Sequence, residues 1–186
     1  LHKVRLRREN RELKDQLRRV RGTGPIITRD PVMLKLLETV HQIAPTGCNT
    51  LITGESGVGK ELVARALHQF SGRSHGPFVA INCGVFNDEL LVSELFGHEK
   101  GAFTGAVASK VGFMESAQGG TLFLDEVTET SPSMQVKLLR AIQEREIVRV
   151  GGVRPIPIDV HFIATTNRNI GEMVAEGTFR QDLYFR

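Results

Sequence analysis

Residues Gly54 to Glu61 read GESGVGKE, and this octapeptide constrains the fold more than any other part of the chain. It follows a short apolar, β-leaning stretch, Asn49 to Thr53 (NTLIT), and leads into a helical run from Glu61 to Phe70. The GxxxxGK spacing is that of a loop that cradles phosphate. Gly54, Gly57 and Gly59 permit a close backbone approach that side chains would block, and the following helix offers its N-terminal amides and positive dipole end. Lys60 adds a mobile point charge for the β- and γ-phosphates of a nucleotide. With Glu55, Ser56, Val58 and Glu61 these residues make up a candidate nucleotide-binding loop. Glu61 stands where most such loops place a Ser or Thr hydroxyl for a magnesium ion, so metal must rely on other groups. An ordinary glycine turn is the competing reading, and the strand before and helix after argue against it.

The same alternation recurs down the chain. Phe78 to Asn82 precedes a helix around Leu90 to Phe96, and Thr121 to Leu124 precedes one around Met134 to Glu144. Val160 to Thr165 is a last buried strand candidate, after a candidate hairpin through Gly151, Gly152 and Pro155. Upstream, Asp30 and Pro31 form an N-cap and first-turn pair for a helix that buries Met33, Leu36, Leu37, Val40 and Ala44. This order predicts an α/β fold with a parallel sheet covered on both faces. The element GGTLFLDE, Gly119 to Glu126, ends a hydrophobic strand with two carboxylates. Asp125 is placed to hold Mg²⁺, directly or through water, and Glu126 to polarise an attacking water. Adjacent acids alone are common surface chemistry, but beside a phosphate loop in one sheet they point to triphosphate hydrolysis.

At 186 residues, 40% hydrophobic and 24% charged, the chain is long enough for about one domain. No stretch reaches the roughly 20 apolar residues a membrane span needs, and the expected location is cytoplasmic. Cys48 and Cys83 each adjoin a strand-like segment without CxxC spacing and are expected to be two buried, reduced thiols. His98 and Glu99 begin an HExxH-like run that has Ala102 in place of the second histidine, so no protein-ligated transition metal is expected. Charge is uneven: Leu1 to Arg21 carries nine Lys/Arg against three Asp/Glu, or +6, which leaves −3 for the rest of a +3 chain. That run reads as a solvated helix face or, less simply, as a nucleic-acid contact. Leu6, Leu13 and Val20 recur at seven residues with Leu17 between them, while Lys3 and Asn10 spoil the other heptad positions. The expected organisation is a helical or short coiled-coil arm over 1–24, a break through Gly22 to Pro25, and a globular body over 25–186.

Between the two phosphate-handling motifs lies GAFTGA, Gly101 to Ala106, preceded by ELFGHEK. Glycines on either side of Phe103 and Thr104, with small alanines around them, describe a mobile tip presenting one aromatic ring; the alternative is a buried turn. The hexapeptide closely resembles the signature loop of bacterial enhancer-binding proteins, the NtrC-like AAA+ activators of sigma-54 RNA polymerase. Resemblance runs from about Ile26 to the end and includes GGTLFLDE, VRVGG and FRQDLYFR. It implies a P-loop NTPase core of the AAA+ kind that uses ATP and Mg²⁺. It also implies that Gly101, Ala102, Phe103, Thr104, Gly105 and Ala106 contact the sigma factor, led by Phe103 and Thr104, in a loop that moves with the γ-phosphate.

By the same resemblance, Asn82 is the residue that holds the catalytic glutamate inactive until a partner binds, a strand-end cap being the alternative. Thr166 and Asn167 resemble the first sensor near the γ-phosphate, and Arg180 and Arg186 resemble arginine fingers that enter a neighbouring subunit's site. Such a finger is typically worth about 10³ to 10⁵ in rate, so hydrolysis is expected to need a hexameric or heptameric ring and to be weak in this segment alone. A fifth core strand, a helical lid with a second sensor and a helix-turn-helix that reads enhancer DNA are expected beyond Arg186. Met114, Gln118 and the stretch Ile27 to Arg29 depart from the family pattern, the last where the adenine pocket is expected. A chelatase- or helicase-like AAA+ machine would have no reason to carry GAFTGA, and intact Lys60, Asp125 and Glu126 speak against a scaffold without hydrolysis.

Overall fold

The computed structural model describes residues 26–186; the heptad arm, with Leu6, Leu13, Leu17 and Val20, lies outside them. The chain divides into two compact units, one reaching Thr39 and the other running from Val40 to Arg186. Helix α1 (Pro31–Ile43) starts where the Asp30–Pro31 pair places it, with Asp30 Oδ1 accepting from the Val32 and Met33 amides at 2.7 and 3.0 Å. Its buried stripe is narrower than expected. Leu36 is exposed, because it sits at the edge of the stripe that Met33, Leu37, Val40 and Ala44 define, and only Val40 and Ala44 are fully buried.

The body is built on a four-stranded parallel sheet in the order β1 (Thr50–Thr53), β6 (His161–Thr166), β3 (Thr121–Asp125), β2 (Phe78–Asn82). The central strands β3 and β6 are buried almost throughout, as strands covered on both faces are, with apolar centres and polar residues towards their ends. Side chains alternate between faces. Leu122, Leu124 and Phe162 join Met134 and Leu138 of α5 (Pro132–Glu144) in one core, while on the other face Thr121 meets His68 of α2 (Lys60–Phe70). Helix α5 is capped by Ser131, whose hydroxyl accepts from the Met134 amide at 3.2 Å, and starts on Pro132.

Helix α3 (Asp88–Phe96) follows β2 and is capped by Asn87. The segment beyond it carries Gly101–Ala106, returns through an antiparallel bridge between His98 and Lys110, and enters the short helix α4 (Phe113–Ser116). The candidate hairpin forms from β4 (Glu146–Val148) and β5 (Pro155–Pro157), with Ile147 opposite Ile156. Two short helices, α6 (Ile170–Ala175) and α7 (Gln181–Tyr184), close the described chain. The expectation of two buried thiols holds for Cys83 alone: Cys48 lies in the loop just ahead of β1 and is exposed. Among the described residues no helix is long and apolar enough to cross a membrane.

Candidate functional site

The loop between β1 and α2 has the backbone that the glycine spacing asks for. Gly57 and Gly59 adopt φ of +81° and +92°, which side chains resist, and the turn exposes its amides at the start of α2. Among the described residues, none of the N–H groups from Glu55 to Glu61 is donated to a protein acceptor, so they form an open anion nest. The Gly54 amide is the exception at the loop's root, bonded to the Thr166 carbonyl at 3.2 Å. Lys60 is not the mobile charge expected from sequence. Its ammonium is buried and donates to the Gly54 and Glu55 carbonyls at 2.9 and 3.0 Å, 3.6 Å from Glu126 Oε1. Backbone carbonyls and a carboxylate thus occupy the donors that phosphate would take. Glu61 directs its carboxylate along the helix surface to Arg65, at 2.6 and 2.9 Å, so that only its backbone faces the nest.

At the end of β3 the two acids separate. Asp125 continues the strand and accepts from Thr165 Oγ1 at 2.5 Å and from Asn82 Nδ2 at 3.0 Å, one donor on each oxygen. Glu126 turns into the left-handed region at φ 53°, ψ 51°, an uncommon conformation for a non-glycine residue, which swings its carboxylate back over Lys60. Its amide donates to Thr165 Oγ1 at 3.2 Å and its Oε2 accepts from the Asn167 amide at 3.2 Å. Beside them, burial first and the Asp125 charge second push the Cys83 thiol up to about 12, leaving it neutral.

Some predicted site residues take other partners. Among the described residues Asn82 makes no hydrogen bond to Glu126: its Nδ2 is on Asp125, and its Oδ1 accepts from the Gly84 amide at 2.9 Å, which is the strand-end cap of the alternative reading. Thr166 is buried with its hydroxyl paired to Thr128 at 2.7 Å and turned away from the acids, because β-strand alternation gives it the opposite face from Thr165. Asn167 does reach the site, through its backbone. Thr165, which the sequence reading passed over, bridges both acids. Arg180 is exposed and forks onto Asp182 at 2.6 and 3.0 Å, and the Arg186 carbonyl accepts from Asn49 at 3.0 Å. Among the described residues, neither guanidinium bonds to Asp125 or Glu126.

The Gly101–Ala106 turn is closed by the Gly101 amide on the Ala106 carbonyl at 2.9 Å. Phe103 is 46% exposed, and its ring meets His98 edge-on at 5.0 Å between centroids, so the tip is displayed yet seated. Phe103 and Thr104 face a groove of about 640 Å³ shared with Asp88 and Glu89. Ala106 is buried, which corrects its expected place among the displayed contact residues. Arg149, unremarked in sequence, pins the root of this loop: it grips Glu115 through two bonds of 2.8 Å and reaches Glu99 at 3.1 Å. The guanidinium holds the Glu115 carboxyl below the usual carboxylate range.

The family model for the sigma-54 interaction domain matches residues 26–186. The chain belongs to that family. A transcriptional regulatory protein of Caulobacter vibrioides, FlbD, is 52% identical over 162 residues, covering 87% of this chain and 36% of FlbD. The crystal structure of NtrX from Brucella abortus in complex with ATP shares 40% identity at a TM-score of 0.80, covering 96% of this chain and 38% of that one. The P-loop NTPase domain of an E. coli sigma-54 transport activator matches at TM-score 0.54 and 22% identity, over 80% of this chain and 98% of that one, which shows the fold alone. The sigma-54 interaction domain described here therefore has the α/β fold of AAA+ P-loop NTPases, and it spans little more than a third of FlbD and NtrX.

Proposed function

We propose that this domain binds ATP with Mg²⁺ in the Gly54–Glu61 loop, hydrolyses it, and uses the Gly101–Ala106 loop to remodel a sigma-54 RNA polymerase complex. The observation that carries the reading is the meeting of Lys60, Asp125 and Glu126 beside seven unpaired loop amides. The amides would receive phosphate oxygens, and Lys60 would exchange the Gly54 and Glu55 carbonyls for the β- and γ-phosphates. Asp125, its carboxylate fixed by one donor on each oxygen, would hold the magnesium ion. Magnesium, when bound, offsets the charge of the phosphates. Glu126 would orient and deprotonate the attacking water, with the Asn167 amide steering its carboxylate.

Several further parts of the reading rest on the family. The ring, hexameric or heptameric, would supply Arg180 and Arg186 to a neighbour's site, Arg180 leaving its fork on Asp182 to do so. Phe103 and Thr104 would touch the sigma factor, 1–24 would be a helical linker or short coiled-coil arm to a body over 25–186, and enhancer DNA would be read by a helix-turn-helix and not by this domain, in the cytoplasm. NtrX has been seen with ATP, in keeping with the nucleotide assigned here. Titration calorimetry of the complete protein with ATP and Mg²⁺ tests the core of the proposal. Heat of binding that disappears in Lys60→Ala is the expected result, and undiminished binding by that variant would refute it. Phe103→Ala is expected to retain hydrolysis and lose polymerase remodelling; normal promoter opening would remove the loop's role.

A further inference from the structure

We propose that the Thr165 hydroxyl is a positioning group that sets the two acids of the site relative to one another, and so sets the affinity for magnesium. The inference rests on reading the site as a magnesium–nucleotide centre. Thr165 is completely buried, and its single oxygen does two jobs: it donates to Asp125 Oδ1 at 2.5 Å and accepts from the Glu126 amide at 3.2 Å. One atom therefore links the side chain of the first acid to the backbone of the second. That backbone is the left-handed turn at Glu126, which aims its carboxylate over Lys60, and the Thr165 oxygen anchors it.

Sheet order makes the arrangement. Strands β2, β3 and β6 lie side by side, Asn82 pairs in register with Asp125, and Leu124 pairs with Ala164, so one more step along the register brings Asp125 level with Thr165. Asn82 and Thr165 then flank Asp125 from opposite sides, each with a donor on a different carboxylate oxygen. The carboxylate plane is held, and each oxygen retains a lone pair for a cation. Removing a partner that orients a metal-binding carboxylate typically weakens metal binding by about 10- to 100-fold.

Valine keeps the branched shape of Thr165 and removes the oxygen; serine keeps the oxygen. The test is the magnesium dependence of ADP binding to the complete protein, followed by calorimetry, for the wild type and the Thr165→Val, Thr165→Ala and Thr165→Ser variants. In Thr165→Val and Thr165→Ala the magnesium concentration for half-maximal enhancement of ADP affinity is expected to rise about tenfold or more. Thr165→Ser is expected to stay within about threefold of the wild type, a rescue that depends on the hydroxyl and not on packing. Equal magnesium dependence in the alanine and serine variants overturns the proposal, and that pair decides it if the valine variant does not fold. A wild type whose ADP binding ignores magnesium refutes the magnesium–nucleotide reading itself.

Discussion

Replacing Arg149 by alanine removes the fork that ties the root of the Gly101–Ala106 loop to α4. The wild-type guanidinium makes three charge-assisted bonds, two to Glu115 at 2.8 Å and one to Glu99 at 3.1 Å. Glu115 is 15% exposed and Arg149 21%, whereas Glu99 at 44% is open enough that its bond contributes little. Two charge-assisted bonds deleted from a shielded pair would cost about 3 to 6 kcal/mol, and partial solvent access reduces that to roughly 2 kcal/mol. For a domain of this size the loss corresponds to a fall in Tm of roughly 4 to 8 °C. The pH dependence adds a sign. Because Arg149 depresses the Glu115 carboxyl, its stabilisation is fully present above the ordinary glutamate value near 4.5 and is lost as pH falls through the lower folded value. Denaturant unfolding of wild type and Arg149→Ala should therefore diverge most at neutral pH and converge in acid. Hydrogen exchange should quicken at Glu99 and Ala102, whose ladder lies beside Arg149. A Tm difference under about 1 °C at pH 7, or a gap that does not shrink in acid, would show that the fork is not holding this region.

Native labelling with iodoacetamide should modify exposed Cys48 and spare Cys83, whose buried thiol is pushed up to about 12; equal rates would contradict that placement. His161 donates from Nε2 to the Cys48 carbonyl at 2.7 Å and leaves Nδ1 buried without a partner, and burial lowers its pKa as it does that of His68. The unfolded chain then takes up protons that the folded chain refuses, so stability should fall as pH drops below about 6.5, by at most about 1.4 kcal/mol per pH unit for each histidine. Urea unfolding that is flat between about pH 7 and 5 would rule this out. A Cβ at Gly151 would sit 2.7 Å from that of Ala102, whereas one at Gly47 would meet nothing within 4 Å, and both have positive φ. Gly151→Ala should thus lower Tm by more than Gly47→Ala, the excess reporting hairpin-to-loop contact; equal shifts would dismiss that contact.

Local pattern made the elements readable and left their meeting points unread. NTLIT, FVAIN and TLFLD run between turn signals and become strands within a residue of their expected limits, because apolar content and glycine placement act over a few residues. The conformation of the Gly54–Glu61 loop was legible for the same reason: its lysine and glycines lie within one octapeptide. Lys60's inward fold was not, since motif spacing does not say that its ammonium turns onto the Gly54 and Glu55 carbonyls, or that Glu126, 66 positions away, lies beside it.

The missed role of Thr165 shows where the limit lies. Asn82 and Asp125 are 43 residues apart, and Asp125 and Thr165 are 40, so no local spacing connects them; only the neighbour relations β2–β3–β6 do. Once those neighbours are fixed, period-two alternation decides the rest. Phe123 and Asp125 share one face of β3, Ile163 and Thr165 share that face of β6, and Thr166 must point the other way, to Thr128. A choice between two adjacent threonines therefore needed register, which sequence motifs do not encode. The resemblance directed attention to Thr166 and Asn167 as a pair, yet geometry divides the work differently: Asn167 steers Glu126 through its amide, Thr165 joins the acids, and Thr166 ties the sheet to the turn that follows β3. A change at Thr166 should consequently register first as lost stability, and one at Thr165 first as lost response to magnesium.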